Sequence, residues 1–357
     1  MPDTSAAVAV FDIGGTWFRS ALWTKEGLVA LEKRPSVNFL SSPALPAEAL
    51  QSALVDYLVE RVSELGSDTG VAFRVASIAL GAALNPRTGE VYNSGPMWGP
   101  SCRRFNLKDK LVQRLPAFEW YLHNDVSASL FEYVLNASAE REKSILITVS
   151  SGIGARLFDG TKGCIQIDRN NGMQGEIGHL QVSPTFRKVP LQFQCDCGGP
   201  CHLNAYSSGR GIANLIRYVE SSHRSSFRNS QLRAIRNAEQ SVETVFREAI
   251  FSEDDLAIEI LNSATRPLAG ILATILTHDP LIDRIVLTGG VVNALGERYI
   301  NSLNQQFADI GLFQVTEQEP DFLRRRLHVT RNDDLAGLMG AAYLGRVAIS
   351  GQDPYQN

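Results

Sequence analysis

The hydrophobic residues of this chain fall into two kinds of segment that follow one another along most of its length. Short continuous apolar runs, which are typical of buried strands, occur at 6–11, 17–23, 71–80, 119–123, 144–149, 155–158 and 285–287. Apolar residues with helical spacing occur at 47–65, 126–136, 209–219, 242–251, 254–277 and 334–346. This alternation of strands and helices is typical of an α/β fold.

Two of the predicted strands end in turns made of small residues. Asp12–Thr16 and Ser150–Gly154 each join two strand-like runs as a hairpin. Paired glycines lack Cβ atoms, so backbone N–H groups can approach phosphate oxygens, and Asp12 could hold a hydrated Mg²⁺ beside them. The first turn lacks the lysine of a P-loop and leads into a strand, which excludes the Walker and Rossmann fingerprints. A glycine hairpin without a ligand is the alternative interpretation.

Two polar residues, Asn124 and Asp125, lie where the strand at 119–123 ends and the next helix begins. An acidic residue at such a junction is either a helix N-cap or a working group, because open α/β sheets place ligand groups at strand ends. The segment 81–98 is rich in glycine, asparagine and proline. It is likewise either a ligand-binding segment or a plain surface loop.

A cluster of soft metal ligands lies in one loop-like segment. Cys195 and Cys197 are separated by one residue, Cys201 and His202 follow directly, and His179 precedes them. These side chains can surround one tetrahedral ion, and zinc is the natural occupant of such a site. Buried thiols or a disulfide are the alternative, but the glycines and the proline beside the cysteines favour a metal-binding knuckle.

The composition is ordinary for a globular protein, with 357 residues, 44% hydrophobic and 20% charged residues, and a net charge of -4. This charge predicts no basic surface for nucleic acid, and no segment reaches the roughly 18 apolar residues of a membrane span. The N-terminus lacks a basic region followed by a long apolar stretch, so we expect a cytoplasmic protein. Its cysteines fit a reducing compartment, with Cys102 and Cys164 as packing residues.

The order of these motifs resembles that of the ROK family of sugar kinases. The motifs are Asp12–Thr16, Asn124-Asp125, Gly152–Gly154, Gly175–His179, the cysteine knuckle, Ser208-Gly209, Thr288–Val291 and Gly337–Ala342. The resemblance implies a two-lobed, actin-like ATPase fold of the α/β, ribonuclease H-like type. It implies a small lobe at 1–122, onto which a C-terminal helix at 335–350 packs back, and a large lobe at 123–334 with a zinc knuckle at 179–204. The likeness starts at the beginning of the chain and leaves no room for the DNA-binding domain of ROK repressors.

The resemblance also implies roles for single residues. Asp125 would be the catalytic base that accepts the proton of the substrate hydroxyl. The residues implied to meet the phosphates and Mg²⁺ of ATP, or to line the nucleotide, are Asp12, Gly14, Gly15, Thr16, Gly152, Gly154, Gly289 and Gly290. Asn124, Glu176 and His179 would bind substrate hydroxyls. His179 would also bind zinc through its other ring nitrogen, so that the metal orients the ring that reads the substrate.

The knuckle departs from the family pattern Cys-Gly-x-x-Gly-Cys-Leu-Glu. Aligned without gaps, Cys201 falls on the glycine, His202 on a cysteine, and Asn204 on the substrate-binding glutamate. We expect Cys201 as the fourth zinc ligand because a thiolate is softer, whereas the register favours His202. The amide of Asn204 can donate as well as accept, which implies a substrate altered at that side. The family's Pro-Asn-Leu before a tryptophan is also replaced, by Gly95-Pro96-Met97.

From this resemblance we expect a kinase that uses ATP and Mg²⁺, holds structural zinc, and phosphorylates the exocyclic primary hydroxyl of a hexose-like substrate. Because of Asn204, a modified sugar, an amino sugar or a sugar-like cyclitol is favoured over glucose. A plain glucokinase and a catalytically inactive sugar-binding sensor on the same fold are the alternatives. Asp125 and both phosphate turns speak against the sensor. The expected partners are the small-molecule substrate and a second copy in a homodimer, with no nucleic acid and no membrane.

Overall fold

A computed structural model describes residues 7–99, 104–168, 170–236, 241–330 and 335–356. These residues form two compact units. The first takes the described parts of Met1–Ser144, Arg156–Gln174 and Asp333–Asn357, and the second takes those of Ile145–Ala155 and Gly175–Asn332. Of the two cysteines expected to be packing residues, Cys164 is buried and Cys102 lies outside the described residues.

Strands and helices alternate along the described chain, as the hydrophobic pattern predicts. The strands are β1 Val8–Ile13, β2 Trp17–Thr24, β3 Gly27–Pro35, β4 Val75–Leu80, β5 Ala83–Leu84, β6 Glu90–Asn93, β7 Phe105–Asn106, β8 Glu119–Asn124, β9 Lys143–Val149, β10 Ile153–Asp159, β11 Cys164–Gln166, β12 Thr185–Phe186, β13 Val189–Pro190, β14 Arg284–Thr288, β15 Leu327–Val329 and β16 Tyr355–Gln356. The helices are α1 Ala47–Thr69, α2 Gly95–Trp98, α3 Leu107–Arg114, α4 Asp125–Asn136, α5 Asn204–Ser207, α6 Gly209–Ser222, α7 Arg224–Asn229, α8 Val242–Phe251, α9 Asp255–His278, α10 Gly290–Leu295, α11 Glu297–Ile310, α12 Phe322–Arg326 and α13 Ala336–Ile349. Short 3₁₀ helices occur at Ile177–His179 and Gln231–Arg236.

The first unit is built on a five-stranded sheet in the order β3-β2-β1-β4-β8. Strand β1 pairs antiparallel with β2, and β4 runs parallel to both β1 and β8. The parallel strands β1, β4 and β8 therefore end at the same edge of the sheet, where the first glycine turn, Gly81 and Asn124 follow. A small sheet of β5, β6 and β7 lies in the segment after β4. This edge is where open α/β sheets place their ligand groups.

Helices α1 and α13 cover this sheet with different kinds of side chain. The apolar stripe of α1, from Leu50 to Leu65 at helical spacing, is buried, and the helix ends at Gly70 with a left-handed φ of 65°. Helix α13 packs on β1, β4 and α4 with small residues. A Cβ on Gly340 would lie 2.1 Å from the backbone oxygen of Ala128. Only glycine there permits so close an approach of two helices.

Helix α4 also lies in the first unit, which continues to Ser144. The lobe boundary expected from the resemblance, at residue 122, falls before α4. The contact between α4 and α13 ties α4 to the first unit instead of to the second.

The second unit contains residues 145–149 of β9, residues 153–155 of β10, the strands β14 and β15, and the helices α5 to α12, and β15, β14 and β9 are neighbours in one sheet. The long helix α9 buries one face against α11, α6 and α5. By contrast, residues 175–203 hold only a 3₁₀ turn, the two-residue strands β12 and β13, and isolated bridges such as Gln181 with His202. No helix among the described residues has the length and apolarity needed to cross a bilayer.

Candidate active site and metal centre

The first glycine turn, at the tip of the β1–β2 hairpin, is braced from several sides. The Gly14 N–H donates to Trp17 O at 3.0 Å, and Asn38 Nδ2 donates to Gly15 O at 2.8 Å. Gly14 and Gly15 are half-buried, whereas Thr16 is exposed. The turn is therefore preorganised with part of its backbone facing outward, as a phosphate-binding loop requires.

The carboxylate of Asp12 lies just before this turn and is held in place by two neighbours. Arg19 Nη1, directly opposite in the hairpin register, donates to Asp12 Oδ2 at 3.1 Å. A Cβ on Gly337, at the start of α13, would lie 2.6 Å from Asp12 Cγ. The helix can approach the carboxylate only because residue 337 is glycine.

At the junction of β8 and α4, Asn124 and Asp125 take different positions. Asn124 is the N-cap, and its Oδ1 accepts from Val126 N at 3.0 Å and from Ser127 N at 3.2 Å. Its Nδ2 donates to Ala82 O at 3.0 Å, which ties the junction to the segment after β4. The capping role thus belongs to Asn124. Its predicted contact with substrate stays a prediction.

Asp125 is half-buried, and its carboxylate lies beside the first glycine turn. A Cβ on Gly81 would lie 3.3 Å from Asp125 Oδ2 and 3.7 Å from Gly14 Cα. The Oδ1 atom accepts the N–H of Val126 at 2.8 Å. The carboxylate predicted to be the base and the turn predicted to meet phosphate are therefore neighbours in one unit.

The second glycine turn follows β9, and two helix N-termini meet it. The Gly209 N–H, at the start of α6, donates to Ser150 O at 2.7 Å. Gly289, before α10, has a φ of 102°, and a Cβ there would lie 2.5 Å from Val149 O. Helix N-termini carry partial positive charge and unpaired N–H groups, which favour anions. The predicted nucleotide residues Gly152, Gly289 and Gly290 are thus brought together around Ser150, and Gly154 lies just inside β10.

A metal-binding cluster forms from both ends of the irregular segment. One ligand atom each from His179, Cys195, Cys197 and His202 lie within 4.8 Å of one another. The His202 Nδ1 atom is 3.4 Å from His179 Nδ1 and 3.2 Å from Cys197 Sγ. Zinc bonds of about 2.0–2.3 Å place tetrahedral ligand atoms about 3.3–3.8 Å apart, so these residues fit a zinc ion after small side-chain rotations.

Cys201 lies outside this cluster, so the structure puts His202 in the fourth position instead of the favoured Cys201. The backbone of Cys201 is left-handed, with a φ of 56°, and its thiol interacts with Tyr206. The ring of His202 packs over Gly199, where a Cβ would lie 2.2 Å from His202 Cε1. His202, and not the softer Cys201, therefore completes the cluster.

Burial favours the neutral forms of two side chains in the cluster. Burial raises the pKa of the Cys195 thiol to about 11. Burial, and then the neighbouring His179, lower the pKa of His202. Both shifts favour neutral groups, and a bound Zn²⁺ would stabilise the Cys195 thiolate that burial disfavours.

Asn204, predicted to contact substrate, holds the second glycine turn. Its Oδ1 accepts the N–H of Ile153 at 2.7 Å. Gly178, inside the 3₁₀ turn that ends at His179, is pressed against the same amide, since a Cβ there would lie 2.5 Å from Asn204 Oδ1. The metal centre and the second glycine turn are thus joined through one side chain.

Glu176 and His179 flank this contact. Glu176 is half-buried, and its carbonyl accepts the N–H of His179 at 3.0 Å. The His179 ring turns Nδ1 toward the cluster, which directs Nε2 away from it. Their predicted contacts with substrate stay predictions.

Three supporting residues, Arg19, Asn38 and Gly337, were not among the site residues predicted from the sequence. The turn bounds expected from sequence, with a tip at Gly14–Thr16, would pair Asp12 with Phe18, whereas the observed loop is one residue longer and pairs Asp12 with Arg19. The Gly337 motif was part of the resemblance, but its contact with Asp12 has no local signal. None marks Asn38, whose contact with the turn depends on the path of the chain after β3.

The sequence model of the ROK family matches residues 8–347. A 2-epi-5-epi-valiolone 7-kinase of an Actinoplanes species is 35% identical over 338 residues, which is 94% of this chain and 91% of that protein. A C(7)-cyclitol 7-kinase of Streptomyces hygroscopicus subsp. jinggangensis is 32% identical over 341 residues, which is 94% of this chain and 93% of that protein.

Among solved structures, the chain resembles a ROK family glucokinase from Streptomyces griseus in complex with glucose and AMPPNP. The TM-score is 0.68 at 22% identity, covering 96% of this chain and 99% of that one. This likeness confirms the predicted α/β fold and its two-lobed, actin-like type. The family match and the two cyclitol kinase relatives show further that the chain belongs to the ROK family.

Proposed function

We propose that this protein transfers the γ-phosphoryl group of Mg-ATP to the exocyclic primary hydroxyl of a cyclitol or hexose-like substrate. The observation that carries the proposal is the carboxylate of Asp125 beside the first glycine turn. A proton acceptor next to a phosphate-sized turn is what in-line phosphoryl transfer requires. The kinase names of the two relatives support the same reaction class.

Asp125 would accept the proton of the substrate hydroxyl while the oxygen of that hydroxyl forms a bond to the γ-phosphorus. The bond from that phosphorus to the bridging oxygen of ADP breaks in the same displacement. Mg²⁺ would neutralise phosphate charge, with Asp12 as the nearby carboxylate. In the first unit, backbone N–H groups of Gly14 to Thr16 would bind phosphate oxygens. In the second unit, the helix N-termini at Gly209 and Gly290 would favour an anionic part of the nucleotide.

A cyclitol is favoured over glucose for two reasons. The relatives at 35% and 32% identity are named as kinases of 2-epi-5-epi-valiolone and of a C(7)-cyclitol. In addition, Asn204 Oδ1 is engaged by Ile153 N–H, so its amide nitrogen would be the group that meets the substrate. A donor at that position suits a carbonyl or another acceptor on the ring.

The experiment is ATP turnover on a panel of glucose, N-acetylmannosamine, an amino sugar and 2-epi-5-epi-valiolone, followed by mass spectrometry of the product. We expect the highest kcat/KM for the cyclitol and a product heavier by one phosphoryl group. The matched control is the same cyclitol without its exocyclic hydroxyl, which should bind but not react. Highest kcat/KM for glucose would favour the glucokinase alternative, and saturable binding without turnover would favour the sensor.

The proposal extends to the partner, the assembly and the location of the protein. We propose a small-molecule acceptor as the partner of the active site, a homodimer as the assembly and the cytoplasm as the location. Light scattering of the purified protein tests the dimer, and fractionation of cells tests the location.

A further inference from the structure

The last described residues of the chain fold back toward the strand that carries Asn124. Helix α13 is followed by Gly351, whose left-handed φ of 76° reverses the chain, and Tyr355 then pairs in parallel with Ile165 of β11. The match to the ROK family ends at residue 347. The C-terminal segment, residues 352–356, therefore lies beyond the part of the chain that the family model covers.

Tyr355 reaches the end of β8 through a buried histidine. Its ring stacks on that of His123 with centroids 5.8 Å apart, and its Oη lies 2.7 Å from His123 Nδ1. The two residues are 4% and 2% exposed. His123 directly precedes Asn124 in β8, which is an edge strand of the five-stranded sheet. The end of this edge strand is thus supported by a side chain from the C-terminal segment.

The segment is anchored independently of this contact. Arg87 pairs with Asp353 and donates to Tyr355 O at 3.1 Å. Pro354 O accepts the N–H of Ile165 at 2.9 Å. These bonds fix the backbone around Tyr355, so the phenol is presented to His123 in one orientation.

The hydrogen bond between the two rings is a neutral one. Burial lowers the pKa of His123 to about 3 and raises the pKa of Tyr355. Neither group changes charge near neutral pH, so the hydrogen bond between them does not depend on pH there. Tyr355 and Asn124 also line a cavity of about 10 Å³, which has room for about one water molecule. The contact is therefore a support and not a second binding site.

We propose that Tyr355 is a positioning residue for phosphoryl transfer, which acts through His123 to hold Asn124 and Asp125 at the end of β8. The inference rests on the proposed function. A displaced Asp125 carboxylate lowers the rate of proton acceptance without removing any group that would bind ATP. The loss should consequently appear in kcat and not in the KM for ATP.

The test is Tyr355→Phe, which keeps the stacked ring and removes only Oη. We expect kcat to fall about tenfold because small displacements of a catalytic group are costly, with an unchanged KM for ATP. Hydrogen exchange should accelerate selectively in peptides that cover residues 122–127. The matched control is Tyr121→Phe, which removes the bond from Tyr121 Oη to Glu119 at 3.0 Å on the same strand. Tyr121→Phe should change neither kcat nor the hydrogen exchange of residues 122–127.

Several outcomes would overturn the proposal. These are wild-type kcat in Tyr355→Phe, an equal worsening of kcat and of the KM for ATP, or faster exchange throughout the first unit. If the wild-type protein phosphorylates no acceptor on the panel, the proposed function fails and the exchange measurement alone decides. Unchanged exchange at 122–127 then refutes the link from Tyr355 to the junction, and selective acceleration supports it.

Discussion

The β8–α4 junction and the metal centre hold their functional side chains by opposite means. At the junction, β8 pairs with β4 and Asn124 caps α4, so backbone hydrogen bonds set the position of Asp125. At the metal centre, His179 lies in a single 3₁₀ turn, and the cluster of side chains replaces regular structure. At the junction, the predicted proton acceptor and the groups that hold it in place are therefore different and can be changed separately. At the metal centre, chemistry and support reside in the same residues.

The largest expected effect removes the chemistry of the junction and keeps its support. Asp125→Asn retains the size of the side chain and an oxygen for the Val126 N–H, but it cannot accept a proton. We expect kcat to fall by about a hundredfold or more, with near-normal ATP and acceptor binding by calorimetry. Near-normal turnover of the folded variant would show that Asp125 is only part of the helix start.

At the metal centre, removal of one ligand should cost both metal and function. His202→Ala should lose zinc in elemental analysis, and kcat or the KM for the acceptor should worsen about ten- to a hundredfold because the predicted substrate contact of His179 depends on the metal. Cys201→Ser is the matched control and should keep zinc, since Cys201 lies outside the cluster. The reverse pattern in the two variants would restore the Cys201 assignment.

Substitution of Asn204 tests how far this side chain supports the second glycine turn, which is predicted to line the nucleotide. Asn204→Ala leaves the Ile153 N–H without its acceptor, and a lost hydrogen bond of this kind costs about 1–2 kcal/mol. We expect a higher KM for ATP with unchanged zinc content. The control is Asn214→Ala, which removes a bond from Asn214 Nδ2 to Ala205 O at 3.1 Å in the same unit. A higher KM for the acceptor alone would return Asn204 to a purely substrate-binding role.

The last prediction concerns the stability of the folded chain and the junction alone. The pKa of His123 falls from 6.5 to about 3 on folding, because burial disfavours its charged form. Below pH 6.5 the unfolded chain binds a proton there that the folded chain does not, so stability declines as pH falls from 6.5 toward 3. The slope from this group is at most about 1.4 kcal/mol per pH unit. Urea unfolding of wild type and His123→Asn across this range measures it, and equal slopes would contradict the assignment.

The long elements of the fold could be predicted from sequence because their patterns are local. The β1–β2 hairpin, α1, α9 and the strand-to-helix junction at Asn124 follow directly from apolar spacing and turn residues. The two- and three-residue strands β12, β13, β15 and β16 are too short to show any period.

The site was predictable in its residue types more than in its geometry. Ligand softness favoured Cys201, but a left-handed φ of 56° at a residue other than glycine has no sequence signal and turns the thiol away. Asn204 was placed by register at the substrate, and its bond to Ile153, 51 positions away, depends on tertiary packing. The pairing of Tyr355 with His123, 232 positions apart, has the same origin.

The close approach of α13 to the first unit has a consequence for the order in which the chain folds. Ser77 Oγ donates to Ala341 O across 264 positions, and Gly337 meets Asp12 across nearly the whole chain. During synthesis the second unit is complete before α13 emerges from the ribosome, while the sheet built by the earliest residues still lacks one of its two covering helices. Contacts of such long sequence separation form slowly. The sheet that carries Asp12 is thus made first and covered last.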